Sequence, residues 1–177
     1  MDIKKILALT IIALALFSCM SAASAGLFDF FGGGEVKNQT HTFDGFTLDI
    51  PETANVSQSN ASSTEGAERH TFTIRMQNES DSSQTYTITV STSQGSRIVS
   101  SVDEYVSNWV SDGASKEGTH GEWTIINING VQKALTSKLT VTYSGYILAK
   151  HTGNKLIIIK GTDLNQLEKI ADTYKEV

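Results

Sequence analysis

The chain has 177 residues, 39% of them hydrophobic and 19% charged, which is enough for one ordinary globular domain with two dozen residues to spare. Its formal charge is −5, and without Asp2, Lys4 and Lys5 the balance becomes 12 basic to 18 acidic residues, or −6. Such a surface repels phosphate backbones and anionic headgroups, so nucleic acid is excluded as a partner and membrane contact is confined to the N-terminal segment. Cys19 is the only cysteine, so the remaining chain can form no disulfide, thiolate ligand or thiol nucleophile.

The first 25 residues carry the marks of an export signal. Lys4 and Lys5 precede Ile6 to Phe17, a 12-residue run in which only Thr10 is polar, and Ser21 to Ala25 are all small. Ala23 and Ala25 suit a signal peptidase cutting between Ala25 and Gly26. Two other fates stay open. Leu16-Phe17-Ser18-Cys19 resembles a lipoprotein box in which Cys19 would be lipidated. Alternatively, Ile6 to Ala25 gives 20 mostly apolar residues, long enough for an uncut anchor flanked by the lysines and by Phe28, Phe30 and Phe31. The expected location is therefore extracytoplasmic, either secreted or tethered at the N-terminus. Residues 26–41 read as a junction rich in Gly and Phe, and residues 42–177 as a single domain.

In that domain, Phe46, Leu48 and Ile50 alternate with polar residues up to Pro51, predicting a strand. Glu52 to Glu68 is rich in Ser, Thr and Asn and reads as a long surface loop. Phe72, Ile74 and Met76, then Tyr86, Ile88 and Val90, alternate with threonines and predict two half-buried antiparallel strands. Ser101-Val102-Asp103-Glu104 is a capping box, and Val102, Tyr105, Val106, Trp109 and Val110 form one apolar helix stripe closed by Asp112-Gly113. Trp109 is thereby assigned to the core, whereas Trp123 suits either core or the rim of a groove.

Ala114 to Gly121 reads as a loop, and Trp123 to Asn127 as a strand before the hairpin signal Asn129-Gly130. Val131, Leu135, Leu139, Val141 and Tyr143 share one face of a predicted long strand. Turns at Ser144-Gly145 and Thr152-Gly153-Asn154 then bracket another strand. Leu156 to Ile159 is apolar on both faces and should lie at the centre of a sheet, covered on both sides. The chain closes with a helix from Asp163 to about Lys175, its buried face formed by Leu164, Leu167, Ile170, Ala171 and Tyr174. The predicted class is α+β, a mostly antiparallel sheet of about six or seven strands with helices on both faces.

Chemical motifs are absent. His41, His70, His120 and His151 stand singly, without a His or Cys at metal-ligand spacing, and read as solvated loop residues. Glu79-Ser80-Asp81 lacks the glycine and terminal glutamate of a calcium loop. There is no G-x-S-x-G elbow, no phosphate-cradling P-loop and no dinucleotide fingerprint. No catalytic, metal-binding or cofactor-binding residue is assigned, and no cofactor is implied. Asn38, Asn55, Asn60 and Asn78 begin N-glycosylation triplets in predicted loops or the junction. A chain this rich in Ser and Thr also produces such triplets by chance, so both readings stand.

Thr42-Phe43-Asp44-Gly45-Phe46-Thr47-Leu48-Asp49-Ile50-Pro51 resembles the entry strand and Pro-Glu turn of the Mog1/PsbP-like superfamily. The capped helix Ser101 to Ser111, the Asn129-Gly130 turn and the terminal capped helix follow in the order that this resemblance implies, over roughly Thr42 to Val177. The resemblance implies a helix-sheet-helix sandwich and non-enzymatic binding to another macromolecule, and it transfers no functional residue. The leading expectation is an exported, non-catalytic interaction protein whose macromolecular partner and oligomeric state the sequence does not name. A small-ligand or lipid carrier and a hydrolase with dispersed catalytic residues are the alternatives, with a cleft between loops 52–68 and 114–122 as a conceivable ligand site.

Overall fold

A computed structural model describes residues 37–64, 66–77, 85–95, 101–136 and 139–177. The signal features, Cys19, Ala25, Gly26, the Phe28–Phe31 cluster and Asn78 lie outside the described residues. Residues Asn38–Val177 make one compact unit.

Its centre is a seven-stranded sheet, antiparallel at every pairing, in the order β3-β4-β5-β11-β10-β7-β6. The strands are β3 (Asn55–Thr64), β4 (Ala67–Gln77), β5 (Thr85–Gln94), β6 (Ser115–His120), β7 (Trp123–Asn127), β10 (Tyr146–Thr152) and β11 (Lys155–Gly161). β11 occupies the middle of the sheet, as its run of four apolar residues predicts; Leu156, Ile157 and Ile159 are buried. A second sheet joins β1 (Asn38–Phe43), β2 (Phe46–Pro51) and β12 (Lys175–Glu176) in the order β1-β2-β12. The first two form a hairpin turned by Asp44-Gly45, so β1 begins inside the stretch the sequence assigns to the junction.

Helix α1 (Val102–Ser111) starts at Ser101, whose hydroxyl accepts from the Glu104 amide at 3.1 Å, and ends at Asp112-Gly113. Val106 packs with Ile126, Ile128, Val131, Ile147 and Ala149, and Val102, Tyr105 and Trp109 lean against this group. Val110 is exposed, because the apolar stripe is wider than the line along which the helix meets the sheet. Helix α2 (Leu164–Ala171) starts at Asp163, whose carboxylate accepts from the Gln166 amide at 3.3 Å. It touches β2, β10 and β11, burying Leu167, Ile170 and Ala171. Rings carry this packing outward: Phe46 lies 5.4 Å from Tyr174, which lies 5.6 Å from Trp123. Trp123 is thus core.

Several expectations are corrected. The polar stretch after Pro51 is largely strand β3, and Ser115–His120 is strand β6. Each is an edge of the seven-stranded sheet, where only one side needs a partner, so weak apolar patterning does not prevent pairing. Because they occupy opposite edges of the sheet, their described residues do not face one another across a cleft. The predicted long strand from Val131 to Tyr143 folds back on itself as β8 (Gln132–Thr136) and β9 (Leu139–Thr142), a two-stranded ribbon. Asn129-Gly130 does turn the chain, with the Val131 amide donating to the Ile128 carbonyl at 3.2 Å. The turn leads β7 into the ribbon instead of pairing it with β8, since β7 already has β6 and β10 as neighbours. The second helix stops at Ala171 instead of near Lys175: the Thr173 hydroxyl donates to the Ile170 carbonyl and accepts from the Asp49 amide, drawing the chain onto β2.

Asn38 and Asn55 lie in β1 and β3, as does the backbone of Asn60 in β3, instead of in loops. All four histidines also lie in strands: His41 in β1, His70 in β4, His120 in β6 and His151 in β10. No helix among the described residues is long and apolar enough to cross a membrane.

Candidate ligand groove

Side chains alternate across a strand, and residues paired between strands share a face. On one face, pairing aligns Arg69 with Ser93 and Leu156, Thr71 with Ser91 and Ile158, and Thr89 with Lys160. These residues floor an open groove of about 520 Å³. Tyr105, Asn108 and Trp109 of α1 form a wall, and Lys133 reaches in from β8. The helix is placed there by burial of Val106 and Ala114 against Ile126 and Ile147.

Among the described residues, three cations therefore line the groove and no carboxylate does. The Arg69 Nε donates to the Ser93 hydroxyl at 3.1 Å, which holds the guanidinium at one end of the floor. Lys133 stands 3.9 Å over the Trp109 ring and 2.5 Å from the Asp112 carboxylate. Lys160 lies 4.4 Å over the ring of Tyr143. Burial, reinforced by the charge of Lys133, lowers the pKa of Lys160 below the ordinary lysine value. Burial raises the Tyr105 phenol above its ordinary value, while Trp109 and the Arg69 charge oppose the rise. The floor is mixed: Ser91 donates to the Thr71 hydroxyl at 3.4 Å, beside the aliphatic Leu156 and Ile158.

The other polar clusters are structural ties. His120 Nε2 lies 2.7 Å from Asp172 and its Nδ1 3.7 Å from Glu168, linking β6 to the end of α2. The two carboxylates address opposite ring nitrogens, so they do not converge on one ion. His70 likewise faces Glu68 at 3.0 Å and Gln58 at 3.4 Å. No group of His, Cys, Asp and Glu among the described residues is arranged to hold a metal. Lys155 and Thr92 both reach the Asp44 carboxylate, at 3.0 and 2.8 Å, fastening the β1–β2 turn to β5 and β11. Lys150 extends over Tyr174 at 4.0 Å to meet Glu122 at 2.7 Å.

The groove escapes sequence reasoning because its cations come from β4, β8 and β11, far apart in the chain. A signal was present in the same-face runs Thr71-Thr73 and Thr89-Ser91-Ser93, which read as solvated strand faces. Trp109, assigned to the core, is half-buried and belongs to the groove wall. The chain matches no family model, and no curated protein matches it.

Proposed function

We propose that this protein is an exported, non-catalytic binding module that takes a small ligand in the groove beside α1. The observation that carries the reading is the lining: among the described residues three cations and no carboxylate, over a floor part hydroxyl and part aliphatic. A lining whose charged groups, among the described residues, are all cations favours an anionic guest over a second protein surface, even with Lys133 also meeting Asp112. The small-ligand alternative thus gains on the macromolecular partner that the resemblance implies. His70 and His120 face carboxylates and, for His70, an amide, an arrangement suited to tying elements together more than to activating a hydroxyl.

The finer architecture belongs to the same reading: a helix-sheet-helix sandwich like that of the Mog1/PsbP-like superfamily. Strand parity supports it: Ile147 and Ala149 pack with α1 and pair with Lys160 and Ile158, whereas Gly161, on the opposite parity of that strand, faces Leu167 of α2. Export follows from the signal pattern ending at Ala25, with Cys19 as the competing lipidation point. An intact mass beginning at Gly26 supports secretion, and a diacylglyceryl-bearing chain beginning at Cys19 supports a tether.

The groove is tested with anilinonaphthalene sulfonate, an aromatic anion whose fluorescence rises on apolar surfaces. Saturable binding should weaken about tenfold or more in Lys160→Glu, and stay unchanged in Lys116→Glu, which alters a cation on β6 outside the groove. Absence of saturable binding, or equal binding in Lys160→Glu, overturns the reading.

A further inference from the structure

We propose that Lys160 is a carbonyl-capture site, its amine forming a reversible imine with a small α-keto acid whose carboxylate is held by Lys133. This rests on the ligand-binding reading above and adds the chemistry of the guest. Strand register separates Lys160 from acids. On the groove face its cross-strand neighbours are Thr89 on β5 and Ile147 on β10, and Ile158 precedes it on the same side of β11. None of the three carries a charge. Elsewhere Lys116, Lys133, Lys150 and Lys155 each reach a carboxylate. Lys160 is half-buried, lines the groove and reaches no carboxylate among the described residues.

A second cation stands beside it instead. The Lys160 ammonium rests 4.4 Å over the Tyr143 ring, and that of Lys133 rests 3.9 Å over Trp109. Those two rings meet edge to face with centroids 5.3 Å apart, so both lysines end on one aromatic pair. Burial and the charge of Lys133 disfavour the Lys160 ammonium, and its pKa is lowered accordingly. Of the other titratable groups lining the groove, Arg69 is a further cation, and Tyr105 is a phenol whose pKa burial raises. Neither brings negative charge to Lys160 at neutral pH. An accessible lysine in such surroundings holds more of the neutral amine than a solvated one, and the neutral amine is the nucleophile.

Capture needs no redox partner. The amine adds to the carbonyl carbon, a proton passes from nitrogen to oxygen, and the carbinolamine loses water to leave the imine. Hydrolysis reverses it. In an α-keto acid the carboxylate is bonded directly to the reacting carbon, so capture sets an anion beside the Lys133 charge. That ammonium has donors to spare beyond its ion pair with Asp112.

The test is reductive trapping on the full chain. Glyoxylate or neutral propanal is added with cyanoborohydride at neutral pH, and labelled lysines are located by peptide mass mapping. Glyoxylate should label Lys160 about tenfold faster than Lys116, which lies on β6 outside the groove. Anilinonaphthalene sulfonate should slow labelling of Lys160 and leave Lys116 unaffected. Lys160→Arg keeps the charge, so it should lose the fast label and still bind the dye. Equal rates at Lys160 and Lys116 overturn the capture site, and saturable dye binding in the same sample then leaves the groove standing. A preference for Lys160 as large with propanal as with glyoxylate overturns the α-keto acid as guest. A protein with neither fast labelling nor dye binding overturns both readings. The two lysines are compared within the unaltered protein, so the test stays decisive if Lys160→Arg fails to fold.

Discussion

The ammonium of Lys133 sits 3.9 Å over the ring of Trp109 while its charge meets Asp112 at 2.5 Å, so one side chain of the β8–β9 ribbon clasps both the wall and the C-terminus of α1. The ribbon contributes to the groove through this clasp. Lys133→Met keeps the stem and removes the charge. The change should cost about 1 kcal/mol of stability, the sum expected of an exposed cation–π contact and a partly exposed ion pair. Urea denaturation followed by tryptophan fluorescence measures it, and Lys133→Arg, which keeps the charge, should avoid most of the loss.

Lys160 should trade stability for binding. Its folded pKa lies below the unfolded one because burial and Lys133 disfavour the charged form. The unfolded chain therefore binds the proton more tightly, and between the two pKa values stability rises with pH. Below both values the full penalty is present; above both it vanishes. Lys160→Met should accordingly raise the melting temperature at neutral pH while weakening capture of the anionic dye. A lower melting temperature at neutral pH would show that the stem and its contact with Tyr143 outweigh the buried charge.

Asp44 governs acid stability of the β1–β2 turn. Burial pushes its carboxyl up, but hydrogen bonds from Lys155 and Thr92, with the Lys155 charge, prevail and leave it below the ordinary value. A lowered carboxylate contributes stability that is complete above its unfolded pKa and disappears as pH falls through the folded one. Asp44→Asn should therefore destabilise the protein at neutral pH and much less at about pH 2, where the native carboxyl is protonated too. Urea midpoints at the two pH values should converge, and a constant gap would contradict this.

Gly145 returns the ribbon to β10 with φ +100°, a conformation that side chains rarely adopt. A Cβ there would run into the backbone carbonyl of Gly161. The Gly145 amide also donates to the Asn129 side chain at 2.8 Å, tying the start of the ribbon to its end. Gly145→Ala should cost several kcal/mol, at the upper end for a single substitution. By contrast, Gly153→Ala meets no atom within 4 Å and carries only the strain of its φ of +58°, so it should cost less. Thermal melts of the two variants compare them directly.

Much of the local structure was determined by the sequence alone. Alternation in Phe46–Ile50, Phe72–Met76 and Ile88–Val90 set strand and face together, because a period of two admits no other regular solution. Ser101 and Asp163 set both helix starts, because they satisfy amides that the helix itself cannot. The apolar run Leu156–Ile159 set the central strand. Edge strands β3 and β6 were illegible, because half their backbone pairing needs no apolar face and their Ser, Thr and Asn content resembles loop. Only the tertiary structure decided that Val131–Tyr143 doubles back, since alternation is the same for one long strand and for a hairpin. It also decided the groove: Arg69, Lys133 and Lys160 are isolated cations in the chain, and strand register and the seat of α1 bring them to one floor.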